Sequence, residues 1–481
     1  MTALDAAFSA ASPRLSARGT KLASLLIHLG AFALWIVLFA PAFTFDGLLA
    51  WSAGIVYVCY DTLLILFVFR QSLALLRPRA RPACAPVTER PQLAAVIAAR
   101  NEASVLPLTI RRLLEQSDPP DLIVVADDGS TDGTQAAMAQ HFGLSCPPLG
   151  RSVETRLANT TLRWLRLTHG GKARALNAAL PLADADIVLT IDADTLLAQD
   201  AIAAMRGAFA REPELVAATG VLTPTCGRGL GNRLFAWFQT YEYVRNFMTR
   251  FAWMRADCLL LISGAFAGFR RPALMEVGGF DPMCFTEDYE LIHRLRRHAA
   301  DRGLDWRVRV VGDARARTDA PGSIPAFLRQ RRRWFGGFLQ TQLWNRDMVG
   351  NRRYGAVGLL MLPVKAFDTL QPIYGLTAVA ILGASLVSGN GNVAWPAFGV
   401  VAAKIALDLG FYAWMVVMYR RWTGDARSTS LTMALLAALI EPFTFQILRH
   451  LGAALGWVSF LRQREIWASP SRAGIVEVGA D

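Results

Sequence analysis

The 481-residue sequence predicts an α/β domain with a largely parallel sheet, inserted between membrane-spanning α-helices. Three observations predict it. From about residue 91 to 346, short β-rich runs alternate with helical patterns. On both sides of that block lie apolar runs near the ~20 residues that a helix needs to cross hydrocarbon. Apolar residues make up 53% of the chain and the mean hydropathy is +0.31, too apolar for a purely soluble protein of this size.

Taken in order, the first two runs cover about 22–42 and 47–69, joined by a short link that ends at Asp46. Arg14, Arg18 and Lys21 precede the pair, and Arg70, Arg77, Arg79 and Arg81 follow it. The positive-inside rule puts both flanks in the cytoplasm, so residues 1–70 read as a transmembrane hairpin in a multi-pass protein of the inner (plasma) membrane. Residues 77–90, rich in Arg and Pro, read as a linker. The block 91–346 follows. Strands are expected at 93–98, 122–126, 162–167, 187–191 and 215–221, and helices at 105–116 and 197–210. Ligands in such sheets sit at the carboxyl ends of strands, where the acidic motifs fall. Residues 234–254 and 324–344 mix aromatics with arginines and suit helices lying in the headgroup region. An ordinary amphipathic helix packed on the sheet is the alternative for each.

Apolar character returns at about 359–386, 395–419 and 431–461, within a C-terminal membrane region of 354–461. The last run is broken at Glu441-Pro442, which suits a kinked span or a span followed by an interfacial helix. Lys365, Asp368, Lys404, Asp408 and Glu441 are costly in lipid and should face a protein interior or a wet passage. Five spans would leave the 462–481 tail outside, although it carries Arg462, Arg464 and Arg472. That arrangement conflicts with the positive-inside rule.

Lysine and arginine number 50 against 38 acids, giving a net charge of +12. The excess suits nucleic acid, anionic lipid or an anionic substrate. The arginines cluster at membrane flanks and no RNP, zinc or helix-turn-helix pattern appears, so nucleic acid is excluded as a partner. Six cysteines without a CxxC pair read as reduced thiols.

The chemistry-bearing residues come next. Val124-Val125-Ala126-Asp127-Asp128-Gly129-Ser130-Thr131-Asp132-Gly133 runs from a strand into paired carboxylates and a Gly-rich turn. A carboxylate there can accept hydrogen bonds from a base or ribose. A simple turn or a calcium loop is the alternative, the latter lacking its terminal glutamate. In His169-Gly170-Gly171-Lys172-Ala173-Arg174, the glycines let backbone approach a ligand and the cations can meet phosphates. Asp192-Ala193-Asp194, again after an apolar run, can share a divalent cation with a diphosphate, because Mg2+ takes one or two carboxylates plus phosphate oxygens. Phe285-Thr286-Glu287-Asp288 opens a helix. Its adjacent acids exceed what capping needs, and one suits a general base. In Gln330-Arg331-Arg332-Arg333-Trp334, Trp can stack on a sugar and Arg can clamp a diphosphate.

Each motif alone is weak, but their order is not. Asp127-Asp128-Gly129, Asp192-Ala193-Asp194, Thr286-Glu287-Asp288 and Gln330 with Arg333-Trp334 resemble the D, DxD, TED and QxxRW series of processive family 2 glycosyltransferases. That family includes cellulose, hyaluronan, chitin and poly-N-acetylglucosamine synthases, the last being most similar in length and span layout. The resemblance implies a GT-A fold, Rossmann-like and mostly parallel, and inverting transfer from a UDP-sugar with Mg2+ or Mn2+. It implies that Asp128, with Asp127 beside it, contacts uridine and that Lys172 approaches the uracil or phosphate side. Asp192 and Asp194 hold the diphosphate, Asp194 through the metal. Asp288, with Glu287, is catalytic, and Asp288 is the base. Gln330, Arg333 and Trp334 hold the acceptor end and pyrophosphate, and Gly264 lines the acceptor pocket. The implied donor is UDP-N-acetylglucosamine first and UDP-glucose second. The implied acceptor is a growing polysaccharide or, alternatively, a lipid. Membrane lipids, and a small membrane partner protein or a homo-oligomer, complete the expected partners.

Overall fold

The computed structural model describes residues 2–77, 90–462 and 475–476. Residues 78–89 of the expected linker and most of the 462–481 tail, with Cys84, Arg79, Arg81, Arg464 and Arg472, lie outside the described residues.

A 9-stranded sheet organises the central block. Its strands are β1 (Leu93–Ala99), β2 (Leu122–Asp127), β3 (Ser152–Leu157), β4 (Thr160–Arg166), β5 (Ile187–Asp192), β6 (Thr195–Leu197), β7 (Leu215–Thr225), β8 (Phe266–Arg270) and β9 (Arg307–Asp319). The order is β3-β4-β2-β1-β5-β8-β7-β9-β6. β4, β2, β1 and β5 run parallel, as do β7 and β9, whereas β3, β8 and β6 pair antiparallel with their neighbours. The expected α/β fold is therefore observed, with a parallel centre and mixed margins. Strand β1 is apolar at every position because helices cover both faces, and Leu93 to Ile97 are wholly buried. Helix Leu106–Leu114 shows how the covering works. Leu106, Ile110 and Leu113 recur on one face and are buried, whereas Arg111 and Arg112 fall on the other.

Two long helices join this domain to the apolar ones. Helix Leu230–Arg255 lies between the sheet and the membrane-type helices, with Trp253 4.4 Å from Phe67 and Phe251 5.0 Å from Trp422 between ring centroids. Helix Ile324–Trp344 runs against helix Phe445–Arg462. Glycines allow that approach: a Cβ on Gly452 would sit 2.6 Å from the Arg331 Cβ, and one on Gly456 2.7 Å from the Phe335 Cβ.

Among the described residues, four helices are long and apolar enough to cross a membrane: Leu22–Thr44, Gly47–Leu76, Val357–Val387 and Gly391–Thr423. A fifth would require the pair Leu431–Phe443 and Phe445–Arg462, bent by 54° at the expected break, to act as one span. The charges inside these runs are paired. Lys404 meets Asp61 at 2.7 Å and also bonds Asp408, Lys365 meets Asp368 at 2.8 Å, and Glu441 meets Arg245 at 3.1 Å and Arg449 at 2.6 Å. At one end of the bundle, Asp46 accepts hydrogen bonds from Asn390 and Asn392, so the two short connections meet there. The other end meets the sheet domain, with Arg315 3.5 Å from Asp425 and the Tyr241 hydroxyl donating to the Ser430 carbonyl at 2.8 Å. The expected hairpin is preceded by a separate helix, Ala3–Ala11, closed by a Thr2/Asp5 capping box. Arg14 and Arg18 tie this N-terminal segment to Asp281 and Asp301 of the sheet domain at 2.9 and 2.6 Å.

Candidate active site

Register brings the first acids together. Asp127 pairs with Ala99 across β2 and β1, while Asp192 pairs with Ala98 across β5 and β1, so the two acids flank one strand end. The Asp127 side chain is wholly buried. One carboxylate oxygen accepts from the Ser130 amide at 2.9 Å; the other is sealed from solvent and has no partner among the described residues. A buried carboxylate oxygen left unpaired is costly, and it is ready for a donor from a ligand.

Asp128, expected to contact uridine, is met by a neighbouring loop. Both of its oxygens are engaged by the loop that precedes helix Lys172–Ala179: the Gly170 amide donates at 2.7 Å, Gly171 at 3.0 Å, and His169 Nδ1 lies at 2.9 Å. Gly129, at φ +71°, permits that closeness, since a Cβ there would be 2.8 Å from the His169 nitrogen. Asp128 therefore shapes the glycine loop, and the unpaired oxygen belongs to Asp127.

The loop aims Lys172 at the acids. Its ammonium lies 2.6 Å from Asp192 and 3.3 Å from Glu287. Burial disfavours its charge, but Asp192, Glu287 and Asp288 outweigh that and hold its pKa above the ordinary lysine value. Lys172, expected toward uracil or phosphate, thus cross-links two acid motifs, and Glu287 is an ion-pair partner rather than a free acid. Asp194 is buried in the short turn between β5 and β6, where its carbonyl accepts from the Asp319 amide at 3.3 Å.

Asp288 opens helix Glu287–Arg302. One oxygen accepts from the Gly264 amide at 2.7 Å and the other from the Tyr289 amide at 2.8 Å. Burial first, and then the Glu287 charge, push its pKa up against the opposing pull of Lys172 and the two amides. Gly264, expected in the acceptor pocket, therefore positions this carboxylate.

Helix Ile324–Trp344 closes the site from behind. Gln340 accepts from the Phe285 amide at 3.0 Å, Arg333 donates to the Phe285 carbonyl at 3.2 Å, and Gly337 packs on the Thr286 side chain. The Gln330 side-chain oxygen is sealed without a partner among the described residues. Trp334 is stacked by Arg331, whose guanidinium carbon is 4.4 Å from its ring and 4.6 Å from that of Phe327. Arg331 in turn pairs with Glu242 at 2.7 Å, both side chains being buried. Sequence reasoning gave no separate role to this pair, or to His169, Gln340 and Arg250; the Arg331–Glu242, His169–Asp128 and Gln340–Phe285 contacts join residues far apart in the chain.

Among the described residues, no three His, Cys, Asp or Glu side chains gather into a metal cage. A Mg2+- or Mn2+-type ion needs only one or two hard carboxylates when phosphate oxygens complete its shell. Asp192 and Asp194, separated by Ala193 at the end of β5, supply that donor chemistry.

A family profile described as "Glycosyltransferase like family 2" matches residues 91–337, just over half of the chain. Among curated proteins, the chain is 27% identical over 281 residues to a poly-β-1,6-N-acetyl-D-glucosamine synthase of Staphylococcus epidermidis, covering 58% of this chain and 62% of that protein. It is 28% identical over 262 residues to a β-monoglucosyldiacylglycerol synthase of Synechocystis sp., covering 53% of this chain and 49% of that one. The chain thus spans between about half and three-fifths of the length of these relatives. A solved mannosyltransferase, PcManGT from Pyrobaculum calidifontis in complex with GDP-Man and Mn2+, superposes over 82% of this chain and 99% of its own, with a TM-score of 0.53 and 24% identity. That likeness gives the GT-A fold. With the profile spanning strands, loops and helices that gather these carboxylates, the chain belongs to the glycosyltransferase-like family 2.

Proposed function

We propose that this protein is a membrane-embedded inverting hexosyltransferase that moves a sugar from a UDP-sugar onto a growing β-linked polysaccharide. UDP-N-acetylglucosamine is the first donor candidate and UDP-glucose the second. The observation that carries the reading is the linkage of Asp192, Lys172, Glu287 and Asp288 in one cluster at the strand ends. The similarity to poly-β-1,6-N-acetyl-D-glucosamine synthase supports the donor order and the polymeric product.

In this reading the unpaired Asp127 oxygen receives a donor N–H of the uracil ring. Asp192 and Asp194 would hold a Mg2+ or Mn2+ ion, which would supply positive charge against that developing on the departing diphosphate. Arg333, anchored on the Phe285 carbonyl, lies beside the acid helix to steady the same charge. Asp288 takes the proton of the acceptor hydroxyl as it attacks the anomeric carbon. A raised carboxylate pKa suits that work, since a base nearer the working pH accepts a proton more readily. Direct displacement on an α-linked donor gives a β-linked product.

The test is Asp288→Asn in the purified full chain. It is expected to keep UDP-sugar affinity and lose transfer by about 100-fold or more; near-normal turnover would remove the base assignment. A second reading, transfer of a single sugar to a lipid, is favoured by the similarity to β-monoglucosyldiacylglycerol synthase. Gel filtration of the product separates the two: a polymer supports the first, a single glycolipid the second.

For topology, the reading places the sheet domain, the Ala3–Ala11 helix and residues 475–476 on the cytoplasmic face of the plasma membrane. Four helices cross, and Leu431–Phe443 enters and turns back. Three contacts support it. Asp46 meets Asn390 and Asn392 at the far end, helix Phe445–Arg462 lies along Ile324–Trp344, and the buried Ile475 packs with Val105 and Leu196 of the sheet domain. This arrangement also removes the conflict between five spans and the basic tail. Four crossings make a narrow bundle, and a second copy or a small membrane protein would complete an export path.

A further inference from the structure

Two arginines near the site have carboxylate partners, although the Nε of Arg331 lacks an acceptor among the described residues. Arg331 pairs with Glu242, and Arg245 reaches Glu441 and the Tyr412 hydroxyl. Arg250, on the same helix as Arg245, differs. Among the described residues, nothing accepts a hydrogen bond from its Nε or its Nη1, although both nitrogens are sealed from solvent. Its guanidinium carbon lies over the Phe247 ring at 4.6 Å, which fixes the group without satisfying its donors. Sealed N–H groups of a charged side chain are among the costliest defects a fold can carry, and they persist where a ligand supplies the acceptors.

The surroundings indicate which ligand. Burial draws the pKa of Arg250 down to about 10, and the groups that hold it up are Asp288 and then Tyr243. The base of the reading above is therefore near enough to act on the guanidinium. On the same helix, Glu242 pairs with Arg331, which stacks on Trp334 at the expected acceptor end. Asp288 supplies a nearby negative charge. What the two N–H groups lack is acceptor atoms rather than an anion, and this selects neutral hydroxyl, ring or amide oxygens over a phosphate.

We propose, resting on the transferase reading above, that Arg250 is an acceptor-binding residue whose Nε and Nη1 donate to oxygens of the acceptor's terminal sugar, beside the hydroxyl that Asp288 deprotonates. The step is one of holding: no bond to Arg250 forms or breaks. The residue fixes the sugar's rotation and thereby selects which hydroxyl reaches Asp288.

The experiment uses the full chain in detergent, saturated with UDP and Mn2+, into which a β-1,6-linked N-acetylglucosamine trisaccharide is titrated. Arg250→Met is expected to weaken trisaccharide binding by about 10- to 100-fold, the weight of one or two charge-assisted hydrogen bonds. UDP affinity stays within about twofold, and Arg250→Lys, which keeps the charge but not the fork, recovers only part of the loss. An equal loss of UDP affinity would move Arg250 to the donor side. Unchanged trisaccharide binding, with only a lower melting temperature, would reduce it to a structural residue. Because binding is read without turnover, failure of the transferase reading shows separately, as wild-type protein that moves no sugar from either UDP-sugar.

Discussion

The Gly264 amide donates a 2.7 Å hydrogen bond to the Asp288 carboxylate, joining the loop before β8 to the start of the helix that carries the acids. The two residues touch so closely that a Cβ on Gly264 would lie 2.9 Å from the accepting oxygen and 3.1 Å from the Asp288 Cβ. Gly264→Ala must therefore push the carboxylate aside. Transfer is expected to fall by about 100-fold, the penalty for a base displaced by roughly an ångström, while UDP binding is retained. Steady-state rates together with a UDP titration check it. An alanine variant with wild-type turnover would show that Asp288 does not depend on this loop.

The electrostatics of Asp288 give a pH prediction whose sign follows from its neighbours. A base must be ionised, so activity is lost as pH falls through its folded pKa, and burial with Glu287 places that pKa above the ordinary aspartate value. Lys172 pulls the other way. Removing its charge in Lys172→Met is expected to move the acid limb of the rate profile to higher pH, alongside weaker donor binding from the freed Asp192. The rate constant at saturating donor, measured across pH, reads the first effect apart from the second. A limb that stays put or moves down would break the link between Lys172 and the base.

Much of this was legible in the sequence, for physical reasons. Strands β1, β2, β4, β5 and β7 sit in the buried part of the sheet, so their apolar runs stand out within a residue or two of the observed limits, except that β7 continues to Thr225. Strand β3 alternates exposed with half-buried positions and β9 mostly half-buried with buried ones, both carry arginines, and β8 is a Gly-containing run of five residues. None of these shows a continuous apolar signal. The acid motifs were found by their order, yet what each acid touches was not. The pairs Asp128 with His169–Gly171, Lys172 with Glu287, and Gly264 with Asp288 join residues far apart in the chain, and local patterns carry no record of them. Arg250 lay in a run of aromatics and arginines that suited a lipid interface, where an arginine needs no partner.

The buried Arg331–Glu242 pair joins the acceptor-end helix to the helix that carries Arg250. Removing one member of a buried ion pair leaves a charge without its partner and costs about 3–5 kcal/mol, whereas replacing both with apolar residues is close to neutral. Glu242→Leu alone is therefore expected to lower stability by that amount, and Glu242→Leu with Arg331→Met to restore most of it. Arg331 also stacks on Trp334, so the double variant should regain stability without regaining acceptor binding. Thermal unfolding and trisaccharide titration of the same samples test both halves. Strictly additive losses would show that the two side chains are not coupled.

Topology is tested at the bundle ends, where geometry makes opposite demands of the two readings. If four helices cross and Leu431–Phe443 turns back, Asn390 lies on the face opposite the sheet domain, whereas Asp425 and Val476 lie with it. If the bent pair crosses instead, Val476 changes sides while Asn390 and Asp425 do not. Asn390→Cys, Asp425→Cys and Val476→Cys, each compared with the native-cysteine background, are labelled in intact cells with a membrane-impermeant maleimide. Labelling of the first alone is expected, with the other two reacting only after permeabilisation. The helix along Ile324–Trp344 makes this outcome the less costly one: Gly452 and Gly456 hold Phe445–Arg462 against the domain, and pulling it across the membrane would strip Arg449 from Glu441. Ready labelling of Val476→Cys from outside would overturn the four-crossing reading and, with it, the cytoplasmic placement of residues 475–476.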